Sequence, residues 1–205
     1  MDIPNMLLVG STARNTGKTT FCLAFLEKWK DKFDAIGLKV TTIREGKGMC
    51  HHGNNGCGVC TSFSGNYEII EEKDRSGEKD TRKLLAAGAK RVFWIRALDE
   101  YVQEATNAFM AEIPPEHIVV CESNALSDFV KPGASVLMHR AGIESIKPSA
   151  ELFMKKADFI CDISQAENIE AVLDKIELSC VEGRVIVTRN GRHRGLSSLP
   201  IHGSI

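Results

Sequence analysis

The chain has 205 residues, which suits one α/β domain with a substantial core and is short for two. It carries 26 basic and 27 acidic residues, so its composition gives no sign of a nucleic-acid partner or an anionic membrane surface. It has no apolar run as long as a membrane span, and its N-terminus lacks the basic region of a signal peptide. We therefore expect a cytoplasmic protein with a single domain over residues 1–205, and a homodimer stays open.

Apolar runs alternate with helical patterns along the chain, apart from a break rich in Gly, Asn, His and Cys at about residues 44–66. The predicted strands cover residues 6–9, 35–40, 67–70, 91–95, 117–121, 135–139, 158–163 and 185–187. The predicted helices cover residues 18–30, 80–87, 99–112, 149–156 and 167–178. This alternation predicts a three-layer α/β fold with a mostly parallel sheet and helices on both faces, and the loop described next assigns that fold to the P-loop NTPase type.

The segment from Gly10 to Thr20 has the composition of a phosphate-binding loop between a strand and a helix. Lys18 is expected to reach the β- and γ-phosphates of a triphosphate, and the Thr19 hydroxyl to ligate Mg²⁺. Thr12 stands where the strict spacing of such loops has its first glycine, and Gly10 lies two residues earlier. The expected nucleotide-binding residues are Asn15, Thr16, Gly17, Lys18, Thr19 and Thr20.

An acidic residue at the end of a second core strand usually helps to hold the Mg²⁺ of such a site. Glu122 follows the strand-like run at residues 117–121, and there it could bind Mg²⁺ or orient the attacking water. Asp80 is the second candidate, just before a predicted helix. The alternatives are a solvated strand-end side chain for Glu122 and a helix cap for Asp80. Arg14, inside the loop, is expected to be solvated.

A cluster of metal-type ligands occupies the break after the second predicted strand. It consists of Cys50, His51, His52, Cys57 and Cys60. Three thiolates and an imidazole match the composition of structural Zn²⁺ sites, while an Fe–S cluster, Cu(I) or Ni²⁺ would also suit these ligands. A redox-active Cys-x-x-Cys pair is a further alternative. The remaining cysteines are scattered, and we expect them to be reduced, buried hydrophobes: Cys22, Cys121, Cys161 and Cys180.

Several short motifs follow one another between about residues 5 and 125. They are Asn15-Thr16-Gly17-Lys18-Thr19-Thr20, Gly37-Leu38-Lys39-Val40, Lys79-Asp80-Thr81, Ala86-Ala87-Gly88-Ala89-Lys90-Arg91-Val92 and Val119-Val120-Cys121-Glu122. In this order they resemble the MobB proteins, GTP-binding accessory proteins of molybdenum cofactor (molybdopterin guanine dinucleotide) biosynthesis. The resemblance implies a P-loop protein that binds GTP with Mg²⁺, hydrolyses it slowly and assists a partner protein.

Two departures separate this chain from the MobB pattern. Residues 41–44 and the Cys/His cluster stand where the family has a short Lys-His-Asp-type segment, and Ser123 follows Glu122 where the family tends to have glycine. Both features are similar to metallochaperone GTPases, which load nickel or other metals into enzymes. The sequence has no Asn-Lys-x-Asp motif for guanine, so ATP stays open beside GTP.

Three other functions remain open from the sequence. The first is a metallochaperone GTPase that carries its metal on the Cys50–Cys60 segment. The second is a binding module in which the triphosphate fixes a conformation without being hydrolysed. The third is a nucleotide-dependent ligase or kinase of a small metabolite.

Overall fold

The computed structural model describes residues 1–43, 63–142, 146, 148–164 and 167–190. The strands are β1 Asp2–Ser11, β2 Ala35–Ile43, β3 Tyr67–Glu72, β4 Arg91–Leu98, β5 Ile118–Glu122, β6 Lys131–His139, β7 Phe159–Asp162, β8 Ile176–Val181 and β9 Arg184–Arg189. The α-helices are α1 Lys18–Trp29, α2 Asp80–Ala86, α3 Val102–Ala111, α4 Pro148–Lys156 and α5 Glu167–Leu173. Short 3₁₀ turns cover Asp99–Tyr101 and Ala125–Asp128. None of the helices in these ranges combines the length and hydrophobicity needed to cross a bilayer.

Strands β1 to β7 form one sheet in the order β3-β4-β2-β5-β1-β6-β7. The pairings β4–β2, β2–β5, β5–β1, β1–β6 and β6–β7 are all parallel, and β3 joins β4 in the antiparallel sense. Because parallel strands end at the same edge of a sheet, the chain leaves β1, β2, β5 and β6 at one common edge. The expected mostly parallel sheet is confirmed.

The two faces of the sheet carry separate hydrophobic cores, as the alternation of side chains along each strand requires. On β1, Leu7 and Val9 pack on one side, while Met6 and Leu8 pack on the other. The first core is covered by α1, α2, α5 and the β8–β9 hairpin, and the second by α3 and α4. Helices on both faces confirm the expected three-layer α/β class.

The last predicted helix, over residues 167–178, is wrong in its second half. Helix α5 ends at Leu173, and the chain then forms an antiparallel hairpin of β8 and β9. Val181 pairs with Arg184, and the two residues between them, Glu182 and Gly183, have φ of 51° and 75°. Positive φ at both positions is the type I′ turn, whose twist matches that of the strands it joins.

The scattered cysteines divide into two groups. Cys22, Cys121 and Cys161 are buried free thiols, as expected, whereas Cys180 is exposed, which corrects the prediction for that residue. The difference follows from the hairpin, because Cys180 lies on β8, outside the main sheet. Burial raises the pKa of the Cys22 and Cys121 thiols well above its ordinary value, so both stay protonated at neutral pH.

Candidate functional site

The Gly10–Thr20 loop connects the carboxyl end of β1 to the first turn of α1. Gly17 precedes the helix with φ of 80°, and Asn15 has φ of 55°. Both residue types tolerate this left-handed backbone. The 12-residue helix α1 has no side-chain cap and no acidic residue in its first turn. Its N-terminal N–H groups and partial positive charge are therefore left for an anion to satisfy.

Thr12 explains why this loop can depart from strict spacing. It is fully buried, its N–H donates to the Met138 carbonyl at 3.0 Å, and its hydroxyl lies 3.4 Å from the same oxygen. His139 Nδ1 is also 3.4 Å from the Thr12 hydroxyl. The entry to the loop is thus attached to the end of β6 by a side chain that a glycine at this position would not supply.

Lys18 lies across the loop that precedes it. Its Nζ donates to Ser11 Oγ at 2.6 Å, and the Ser11 hydroxyl donates to the Ala13 carbonyl at 2.8 Å. The Thr16 hydroxyl donates to the same carbonyl at 2.9 Å. These bonds link the two ends of the loop and hold the Lys18 ammonium beside Ser11, near the N-terminus of α1.

Asn124 fixes the start of the loop from the end of β5. Its Oδ1 accepts from the Ser11 N–H and its Nδ2 donates to the Ser11 carbonyl, both at 2.8 Å. Gly10 allows this approach, because a Cβ there would lie 2.8 Å from Asn124 Oδ1 and 2.2 Å from the Phe153 ring. Asn124 therefore replaces the backbone partner that Ser11 would otherwise need.

We expect Asn124→Ala to lower the free energy of unfolding by about 1–3 kcal/mol, because it leaves two backbone groups of buried Ser11 unpaired. Urea unfolding of the two proteins measures the difference. Asn107→Ala is the matched control, since Asn107 is exposed on α3. Equal stability of the two variants would contradict the role given to Asn124.

Four side chains meet beside the first turn of α1: Thr19, Lys39, Asp80 and Glu122. Glu122 ends β5, and in the sheet register it lies between Val9 of β1 and Lys39 of β2. Asp80 is the first residue of α2, and the Thr19 hydroxyl donates to its Oδ1 at 3.2 Å. Lys39 Nζ donates to Asp80 Oδ2 in a close ion pair.

Glu122 is not the solvated side chain of the alternative interpretation, because only 3% of it is exposed. Burial raises the pKa of its carboxyl, and the negative charge of Asp80 raises it further. Lys39, Thr19 and Lys18 act in the opposite direction without cancelling this shift. In the part of the chain that the structure describes, Glu122 Oε1 has no hydrogen-bond partner.

Asp80 has the opposite electrostatic environment. Its partial burial alone would raise the pKa of the carboxyl, but the hydrogen bonds from Lys39 and Thr19 and the charges of Lys39 and Lys18 lower it. Asp80 does not cap α2, since the residue at the cap position is Lys79. The two carboxylates, Asp80 and Glu122, are called here the carboxylate pair. The Thr19 hydroxyl donates to Asp80 and also lowers the pKa of the Glu122 carboxyl, but the two carboxylates differ in burial and in partners.

The carboxylate pair and Thr19 fit a magnesium ion that arrives with a nucleotide. Mg²⁺ is usually held by one or two carboxylates together with waters and substrate phosphates, rather than by a complete set of protein ligands. In the described ranges, no group of three or more His, Cys, Asp or Glu could hold a metal ion by itself. The buried, unpartnered Glu122 Oε1 is an acceptor that such a cation would satisfy.

The structure brings together most of the residues that the sequence singled out. Lys18 and Thr19 of the predicted loop lie close to Asp80 and Glu122 at the sheet edge. Arg14 is exposed. The predicted metal ligands Cys50, His51, His52, Cys57 and Cys60 lie outside the described residues; the chain enters that segment from the end of β2, at the same edge.

Three residues of the site were not predicted as such: Lys39, Asn124 and His139. Lys39 had a visible signal, because it is the one charged residue of β2. Asn124 and His139 gave none, since their contacts with Ser11 and Thr12 cross more than a hundred residues of chain. Only the packing of β1 between β5 and β6 makes them neighbours of the loop.

Comparison with models of known protein families, with curated proteins and with solved structures finds no match to this chain. The resemblance of the sequence motifs to MobB proteins therefore stays a prediction. What the chain does has to be inferred from the geometry around Thr19.

Proposed function

We propose that the chain is a cytoplasmic nucleoside-triphosphate-binding protein and slow hydrolase, with GTP as the expected nucleotide. The observation that carries the proposal is the position of Thr19. Its hydroxyl lies in the first turn of an uncapped helix and donates to Asp80, next to Glu122, whose buried Oε1 has no hydrogen-bond partner among the described residues. An accessory role in molybdenum cofactor biosynthesis, as in MobB proteins, is the form of this function that the sequence motifs favour.

In this proposal the loop and Lys18 bind the phosphates. The α1 N-terminus supplies N–H donors and partial positive charge, and the Lys18 ammonium exchanges its Ser11 partner for phosphate oxygens. Thr19, Asp80 and Glu122 would hold Mg²⁺, which when bound neutralises charge on the phosphate oxygens. Phosphoryl transfer to water then gives nucleoside diphosphate and inorganic phosphate, and a carboxylate of the pair positions the attacking water.

The GTP preference comes from the resemblance alone, so the test includes both nucleotides. Phosphate release from GTP and from ATP is measured with the full chain and Mg²⁺, and we expect slow release from GTP that Thr19→Ala abolishes. Binding without release would favour the non-hydrolysing module. Release that requires an added acceptor would favour a ligase or kinase. Failure to bind either triphosphate would contradict the proposal altogether.

A metallochaperone GTPase is the second candidate. It is favoured because β2, which carries Lys39, leads directly into the segment with the predicted metal ligands. The strand that carries Lys39 ends at Ile43, and the chain continues from there into the Cys50–Cys60 segment. Metal bound by Zn²⁺-type ligands there would be close in sequence to a side chain that contacts Asp80. Elemental analysis of anaerobically purified protein, before and after GTP hydrolysis, separates the candidates: cargo metal is released on hydrolysis, whereas structural metal stays bound.

A further inference from the structure

Lys39 is the one residue of the four-residue cluster around Thr19 whose role the proposed function does not use. It stands on β2 with its side chain on the α1 face of the sheet, opposite Glu122 in the register. Its ammonium is in a close ion pair with Asp80 Oδ2, and about a third of the side chain is exposed. Lys39 is the one charged residue of β2, and Asp80 is its ion-pair partner.

Both carboxylate oxygens of Asp80 already have hydrogen-bond partners, and a bound divalent cation would have to replace at least one of them. Oδ1 accepts from the Thr19 hydroxyl and Oδ2 accepts from Lys39. A divalent cation on Thr19 and Asp80 would bring two positive charges to a carboxylate that already has an ammonium as its partner. Because the cation and the Lys39 ammonium repel each other, each weakens the other's interaction with the Asp80 carboxylate.

We propose that Lys39 is the resident counter-ion of Asp80, and that a nucleotide-bound divalent cation displaces it. Without nucleotide, the Lys39 ammonium compensates the negative charge of Asp80 beside Glu122. When the metal nucleotide binds, Asp80 exchanges the ammonium for the cation. Lys39 is therefore a positioning residue that acts through Asp80, and it sets how strongly nucleotide binding depends on Mg²⁺. The inference rests on the proposed function, because it needs a nucleotide at the Gly10–Thr20 loop.

The measurable consequence is a coupling between metal and nucleotide. The dissociation constant of the slowly hydrolysed analogue GTPγS is measured in EDTA and in saturating Mg²⁺. The value in EDTA divided by the value in Mg²⁺, called here the coupling ratio, measures how much the metal strengthens nucleotide binding. Lys39→Met removes the competing ammonium and leaves Asp80 to the cation. We expect this ratio to rise about tenfold, which corresponds to about 1.4 kcal/mol of additional coupling free energy between metal and nucleotide.

Lys28→Met is the matched control. Lys28 lies on α1 and pairs with Asp174 at 2.8 Å, with a side-chain exposure of 34% against 31% for Lys39, but it is not part of the Thr19 cluster. It should leave the ratio unchanged. Lys39→Arg, which keeps the charge, should also retain the ratio of the unaltered protein. A purely structural role of Lys39 would change stability without raising the ratio.

The outcomes separate this inference from the proposed function. Failure of the unaltered protein to bind GTPγS overturns both. Binding with an unchanged or smaller ratio in Lys39→Met overturns only the role of Lys39. Should Lys39→Met fail to fold, Lys39→Gln keeps a donor for Asp80 without the charge, and the same rise in the ratio is expected from it.

Discussion

Lys18→Ala should lower the affinity for GTP by at least about a hundredfold, since each charge-assisted hydrogen bond to a phosphate is worth about 1.5–3 kcal/mol. The ammonium is held at the mouth of the Gly10–Thr20 loop by a 2.6 Å hydrogen bond to Ser11. Exchanging that hydroxyl for phosphate oxygens requires only a local movement of the side chain. Equilibrium binding of GTP in the presence of Mg²⁺ measures the loss.

The control for this variant is Lys28→Ala on the same helix. Lys28 donates to the Leu173 carbonyl at 3.1 Å and pairs with Asp174, so its loss removes a positive charge of α1 without reaching the loop. Its affinity for GTP should stay close to that of the unaltered protein. Equal affinities in the two variants would mean that net charge, rather than the position of Lys18, governs binding.

Glu122→Gln should reduce phosphate release by about a hundredfold or more, the usual effect of losing a side chain that manages a proton or water in the transition state. The same variant should be more stable than the unaltered protein in the absence of nucleotide, by about 1 kcal/mol. Glu122 is buried with one oxygen unpartnered among the described residues, and Asp80 adds a like charge. A neutral amide removes the repulsion from Asp80 and the cost of burying a charge.

Urea unfolding and phosphate release measured on the same preparations test the two halves of this expectation. Glu112→Gln serves as the control, because Glu112 is exposed at the end of α3 and should change neither quantity. A Glu122→Gln protein that releases phosphate at the original rate would remove Glu122 from the chemistry. One that unfolds more easily would show that its buried carboxylate stabilises the fold.

The sequence predicted the sheet core well because local patterns determine it. Runs such as residues 117–121 are apolar enough to be buried strands whatever surrounds them, and β5 is buried along its whole length. The end of the chain was harder. Ile176 continues the helical spacing of Val172 and Leu173 in α5, and only the Glu182–Gly183 turn shows that it begins a hairpin strand.

Of the candidate site, the sequence predicted the residues that belong to a local motif or stand at the end of a predicted element. Lys18 and Thr19 follow from the Gly17-Lys18-Thr19 motif between a predicted strand and a predicted helix, and Glu122 and Asp80 from their places at element ends. Lys39 required the register of β2 against β5, and Asn124 required β1 to lie beside β5. Such contacts depend on strand order, which one sequence does not encode in any local pattern.

The central claim is that the Gly10–Thr20 loop binds a nucleoside triphosphate whose Mg²⁺ is held by Thr19 and the carboxylate pair. Isothermal titration of the full chain with GTPγS tests it most directly, with Mg²⁺ and then with EDTA. We predict a dissociation constant below about 1 mM with Mg²⁺, the upper end of ordinary substrate affinities, and weaker binding in EDTA. No binding with Mg²⁺, or equal binding in both conditions, would contradict the claim.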